Sequence, residues 1–304
     1  MNTLPKKRII AVGGGKGGVG KSTVTASLGM SIGRRKKPTL LIDADFASPN
    51  LHTVCGVPPP AVTVSDYLTD PRFPLEKALV RIDENTWLLS GIGTLLSLNG
   101  PTFKQRERIF RALNALEFDT LVFDLSAGAG RETMDLFMRA YHRIIVMEPT
   151  PLSVENAYLF LKNIIYRRLF RIFHQYPEYK AEVKNVTERK YGTVKNIGTL
   201  LELLSEIKPD EGDRLRREML QCRYWLLVNR AKNGKALPIG TNFCTVSEEH
   251  LGIPVHPLAI IEEDPNVVRS LYRKEALPRI YPDTIFSHSI EQVVDLLLPD
   301  NEKT

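Results

Sequence analysis

Cysteine is scarce in this chain. Cys55, Cys222 and Cys244 are its only thiols. They are odd in number, far apart and never at metal-ligand spacing, which points to reduced thiols in the cytoplasm. The 6 histidines are scattered and offer no cluster for a transition metal. No apolar run approaches the roughly 20 residues of a membrane span. Residues 1–8 lead into a short strand and not into the core of a signal peptide. The stretch 290–304 lacks the Lys/Arg face with which an amphipathic helix anchors to lipid, so terminal membrane anchoring is not expected. Internal repeats and low-complexity stretches are missing as well. These absences leave a cytoplasmic globular chain with no transmembrane segment.

Of 304 residues, 43% are hydrophobic and 25% charged, enough for one large α/β domain or two small ones. The net charge of +6 is compatible with an acidic partner, nucleic acid or anionic lipid. One stretch organises the rest. An apolar run at 9–12 leads into a glycine loop, and a helical pattern starts near Ser22. Within it Gly15-x-x-x-x-Gly20-Lys21-Ser22 has the spacing of a phosphate loop. Glycines let successive backbone N–H groups turn inward around an anion, and the helix N-terminus adds partial positive charge. Lys21 is placed to reach the β- and γ-phosphates and the Ser22 hydroxyl to bind Mg²⁺.

Apolar strands are expected at 9–12, 40–42, 87–91, 120–125, 143–147, 224–230 and 256–261, with helical patterns between them. Such alternation demands right-handed crossovers and a doubly wound, mainly parallel sheet of about seven strands with helices on both faces. Two strands end in acids, at Asp43 with Asp45 and at Asp124. Ligands bind at that edge of open α/β sheets. The Asp124 carboxylate suits Mg²⁺, directly or through water. Asp43 and Asp45 fit a helix cap or a strand-end ion pair as well. Ser65 and Ser153 are candidate helix caps.

Lys16 lies inside the loop, so the string Lys16, Gly17, Gly18, Val19, Gly20, Lys21, Ser22, Thr23 resembles the deviant phosphate loop of the MinD/ParA family. The resemblance covers about 8–165 and 223–298. It implies a P-loop ATPase in which ATP with Mg²⁺ joins two subunits face to face and hydrolysis releases them. By resemblance Gly15 to Thr23 and Lys21 hold the phosphates, Lys16 crosses to the partner's nucleotide, Asp45 orients the attacking water and Asp43 lies near the metal. The second switch falls at 128–133. Asn229 would bond adenine, although an Asn at a strand tip also serves as a turn former. Asp264 would belong to a loop over the base, where the family often has proline in place of Glu262. The stretches 124–130 and 148–158 look most like the branch that regulates flagellar number. Control of the position or number of a cellular structure, flagellum or division site, is therefore expected. A DNA-partition ATPase is an alternative, as is a metal-cluster carrier, which the cysteine spacing disfavours.

The chain reads as a single ATPase domain, 1–304, with a helical elaboration at about 174–223, where Ile197, Leu200, Leu201, Leu204 and Ile207 recur at helical spacing. Before it, 158–175 reads as one helix. Tyr158, Leu161, Ile165, Leu169 and Ile172 would face the core. Arg167, Arg168 and Arg171 would lie opposite, with Phe160 and Ile164 among them. Residues 162–190 hold 8 basic side chains against 3 acidic ones. That face is either merely solvated or docks an acidic protein effector or anionic lipid.

Overall fold

The computed structural model describes residues 7–45, 48–70, 72–91, 101–175, 197–207, 209–220, 223–232, 234 and 236–299. Its strands are β1 (Arg8–Gly13), β2 (Thr39–Ala44), β3 (Leu79–Arg81), β4 (Thr86–Leu89), β5 (Thr120–Leu125), β6 (His142–Met147), β7 (Arg223–Ala231) and β8 (Val255–Glu262). They form one sheet in the order β3-β4-β2-β5-β1-β6-β7-β8. All pairings are parallel except β3 with β4. The strands β2, β5 and β6 are buried from end to end, as parallel strands covered on both faces must be. Successive side chains serve opposite layers, Ile10 and Val12 one and Ala11 the other.

The helices are α1 (Lys21–Arg34), α2 (Leu51–Val54), α3 (Val64–Thr69), α4 (Phe103–Ala115), α5 (Arg131–Arg139), α6 (Pro151–Gln175), α7 (Ile197–Ile207), α8 (Pro209–Leu220), α9 (Ala236–Leu251), α10 (Pro265–Arg273), α11 (Leu277–Ile280) and α12 (Ile285–Leu297). One layer is built from α1, α11 and α12, through Leu28, Ile32, Leu277, Ile290 and Val294. The other takes α4 to α9, through Leu113, Phe137, Leu161, Leu215 and Phe243. Parallel register sets Asp124 beside both Val12 and Asp43. The end of β1 and the acids of β2 and β5 therefore share one level at the carboxyl edge of the sheet.

Several expectations are corrected. The described sheet holds all seven expected strands and an eighth. The extra one, β3, is three residues long, too short for any periodicity to register, and exists through its antiparallel pairing with β4. Thr63, not Ser65, caps α3, because its hydroxyl accepts the Ser65 N–H while Asp66 reaches back to the Thr63 N–H. Ser153 stands inside α6, which starts earlier at Pro151, a residue preset for a first helical turn. Its hydroxyl instead accepts the Glu148 N–H at 2.9 Å.

The largest correction concerns α6. Phe160 and Ile164 are buried, not exposed among arginines. The helix is gripped by the sheet and by α5, α8 and α9. Phe160 meets Phe137 of α5 edge-on at 5.1 Å. Arg167 and Arg171 are not simply solvated either. They bond Asp135 of α5 at 2.6 and 2.7 Å. The core stripe of α6 is buried as expected at Leu161, Ile165, Leu169 and Ile172. Expectations for Cys222 and the charges at 178–190 fall outside the described residues, as do the side chains of Leu204 and Ile207.

Candidate nucleotide-binding site

The phosphate-type loop leaves the central strand β1 and enters α1 at Lys21. Its outer side is held tightly. A Cβ on Gly15 would lie 1.9 Å from the Asn156 carbonyl oxygen of α6, and one on Gly20 would lie 2.4 Å from Nδ2 of Asn229. Only glycine permits these approaches. Gly18 is exposed, and a Cβ there would meet nothing within 4 Å. Gly20 offers no side-chain cap to α1. The first amides of that helix are thus available to an anion.

Lys21 is buried, and its ammonium donates to the Lys16 carbonyl at 3.3 Å. Burial lowers its pKa, against the pull of Asp124 and Asp45. A buried cation at a glycine loop is a ready counter-charge for phosphate. The Lys16 side chain is half-buried at the loop surface. Thr23 and Val19 are buried beneath the loop.

The acids divide the work. Asp124 is buried and accepts from the Thr25 hydroxyl at 3.1 Å and from the Ser22 hydroxyl. Burial pushes it up to about 7; neighbouring Asp43 adds to the rise, and Ser22, Lys21 and Thr25 oppose it. Burial pushes Asp43 up to about 6, opposed by the N–H groups of Leu51, Asp45 and Asn50. Asp43 accepts from Asp45 N at 3.1 Å and Leu51 N at 2.9 Å, so it fastens the segment after β2 and caps α2. Asp45 accepts from Ser48 N at 3.2 Å. A hydroxyl and a buried carboxyl side by side form a hard-oxygen donor set that fits Mg²⁺ once the carboxyl has lost its proton. Among the described residues no three His, Cys, Asp or Glu side chains gather into a metal site. A cation here would therefore rely on Ser22, Asp124 and the ligand's own phosphates.

Asn229 reaches the loop, where its amide donates to the Val19 carbonyl at 2.8 Å. Asp264 stands away from this contact as the cap of α10, accepting from Asn266 N at 2.8 Å and Phe286 N at 3.4 Å. The expected second switch is held by contacts of its own, and the Arg230–Glu148 pair escaped sequence reasoning. Gly128 N–H bonds the Gly14 carbonyl at 3.2 Å. The Ser126 and Thr133 hydroxyls are 2.7 Å apart and close the turn before α5. Arg230, at φ 54, bonds Glu148 at 2.9 Å and ties β7 to the connection before α6. The available signal was placement alone: Glu148 follows the end of β6, and Arg230 is the last residue but one of β7.

A family model for ParA, described as NUBPL iron-transfer P-loop NTPase, matches residues 6–163. Septum site-determining protein MinD of Synechocystis is 35% identical over 153 residues, 49% of this chain and 56% of that protein. Antiactivator FleN of Pseudomonas aeruginosa is 26% identical over 164 residues, 53% of this chain and 58% of that protein. The chain spans about half the length of the curated relatives it matches. Septum site-determining protein MinD of Pyrococcus horikoshii, solved with Mg-ADP, has a TM-score of 0.61 over 96% of both chains at 18% identity, a likeness of fold. With more than half of its residues inside the family model and a deviant phosphate loop at the centre of its sheet, the chain belongs to the MinD/ParA family of P-loop NTPases.

Proposed function

We propose that this chain is a Mg-ATP-dependent dimerisation switch with slow hydrolysis that controls the position or number of a cellular structure. The observation that carries the reading is Lys21, buried at a glycine loop that also holds Lys16 and within the electrostatic reach of Asp124 and Asp45. Lys21 and the loop amides, Gly15 to Thr23, would bind phosphate. Ser22 and Asp124 would hold Mg²⁺, which neutralises charge on the phosphates, with Asp43 holding the neighbouring segment in place. Asp45 would orient the attacking water. Lys16, at the surface of the loop, would complete the site of a second copy. Asn229 supports adenine through the loop it braces, and Asp264 supports the base-side loop as a cap. The working unit is one ATPase domain with a helical elaboration, in the cytoplasm or peripheral to a membrane or pole.

The test is sedimentation of the purified protein with ADP, with ATP and without nucleotide, with phosphate release measured in parallel. Lys21→Ala should abolish nucleotide binding. Lys16→Ala should bind ATP as a monomer, and Asp45→Ala should dimerise without hydrolysis. Wild-type turnover in Asp45→Ala would remove that residue from the mechanism. Metal-cluster carriage is the weaker reading. Cys55 is fully buried and Cys244 half-buried, each with its thiol pKa pushed up by burial, whereas cluster ligation needs accessible thiolates. Binding to DNA would show as a steep loss of affinity with salt.

A further inference from the structure

The outward face of α6 carries Leu152, Leu159, Tyr166 and Phe170, exposed by 56%, 44%, 45% and 69%. Scattered exposed apolar residues need no explanation. These four are not scattered. The first three are seven residues apart and the fourth follows by one turn, so they form a single line along one helix. The line is one side chain wide. It matches one side of another helix and not the broad apolar face that a lipid surface takes up.

Its charge selects the partner. Lys162 flanks the line, with its ammonium 5.7 Å from the Tyr166 ring, and Arg167 and Arg171 flank the other side. A second copy of α6 would set these cations against their own kind. An acidic helix would meet them with opposite charge. Among the described residues one acid is shared by several of these cations, while Arg106 also bonds Glu132 and Arg139 bonds Glu107. Asp135 serves Arg167, Arg171 and, at 3.7 Å, Arg106 of α4. Arg139 nearby has its pKa lowered by burial and by Arg171 and Arg106.

Two segments that face the candidate phosphate site touch this helix. Gly15 packs against the Asn156 carbonyl at its start. Asp135, on the helix that follows the Gly128 turn, holds the arginines near its end. We infer that the Leu152–Leu159–Tyr166–Phe170 line of α6 docks an amphipathic helix of a protein partner, with acidic residues beside its apolar side, and that Asp135 sets how far Arg167 and Arg171 are available to it. Only the nucleotide dependence of this docking rests on the function proposed above.

The experiment places the photo-cross-linker p-benzoyl-phenylalanine at position 170 of the full chain in its native cells and maps the adduct by mass spectrometry. The mapped segment is then made as a synthetic peptide and titrated against purified protein with ADP and with ATP. The expected adduct is a protein segment with apolar residues at helical spacing and Asp or Glu beside them. Its peptide should bind at least about tenfold more weakly to Phe170→Ser and to Tyr166→Ser, since well-packed aromatic anchors carry most of an interface. Both positions are on the surface, so melting temperature and basal ATPase should stay as they are. Asp135→Asn should tighten peptide binding and narrow the difference between ADP and ATP. An adduct with lipid, with a second copy of this chain or with a segment lacking acids would overturn the proposal, as would no adduct or undiminished binding to both serine variants. Peptide binding that is intact but identical in ADP and ATP, in protein that fails to dimerise with ATP, would overturn the switch and leave the docking surface standing.

Discussion

At the scale of single residues, two glycines of one loop separate space from chemistry. Gly15→Ala should cost about 3 kcal/mol or more, or displace α6, because its Cβ would enter the Asn156 carbonyl. Gly17→Ala meets only the Ala127 methyl at 3.9 Å and should melt like wild type. Calorimetry of both variants checks this; equal melting temperatures would mean the close approach at Gly15 is absent in solution. Asp124 gives a pH test. Burial raises it to about 7 from an ordinary 3.8. Between those values the folded chain keeps a proton that the unfolded chain has lost, so stability falls as pH rises through that window. Without nucleotide or Mg²⁺, Asp124→Asn should flatten the slope and melt above wild type near about pH 8, at the upper end where the charged form is most disfavoured. A slope as steep in Asp124→Asn as in wild type would assign it to another group. The placement of these acids at the carboxyl edge of the sheet was legible in sequence because each closes an apolar run. The partners of Asp43 and Asp264 were not, since capping depends on which backbone amide happens to lie within 3 Å or so.

At the scale of elements, the strands that sequence reasoning located are those whose burial on both faces leaves an unbroken apolar run. Those it misjudged draw their order from a neighbour. β3 needs β4, and the second buried flank of α6 needs α5 and α9. Arg143 of β6 shows the same dependence. Its guanidinium is fully buried and donates to Tyr224 OH at 2.6 Å, to the Ala140 carbonyl at 3.0 Å and to the Met138 carbonyl. Two of these acceptors lie at the C-terminal end of α5, where a cation is favoured. Arg143→Met removes three buried hydrogen bonds and should destabilise by about 3 kcal/mol. Arg143→Lys should recover little, since one ammonium cannot reproduce the planar fork. Urea titration of both variants measures it. Full rescue by lysine would reduce the role of Arg143 to its charge.

At the scale of the whole molecule, the order of packing runs from the first helix to the last. α12 buries Phe286, Ile290, Val293, Val294 and Leu297 against α1 and the sheet, and Arg35 joins it through Glu291 and Asp295 at 3.0 and 2.6 Å. The ion pairs are half-exposed and add little. The five apolar side chains together contribute about 10 kcal/mol, comparable with the stability of an entire domain. A chain ending at residue 284 should therefore be insoluble or unfolded, whereas Arg35→Ala should lower the melting temperature only slightly. Soluble, folded 1–284 in circular dichroism would show that the sheet and α1 hold without their last cover. The bond from Asn229 to Val19 has a consequence for biosynthesis. The loop at the head of the chain is braced by a residue made 210 positions later. On the ribosome the phosphate loop emerges early but waits for β7 before it takes its final shape. A nascent chain shorter than about 230 residues plus the exit tunnel should ignore ATP, and protease resistance from it should appear only once α12 has also emerged to cover α1 and the sheet.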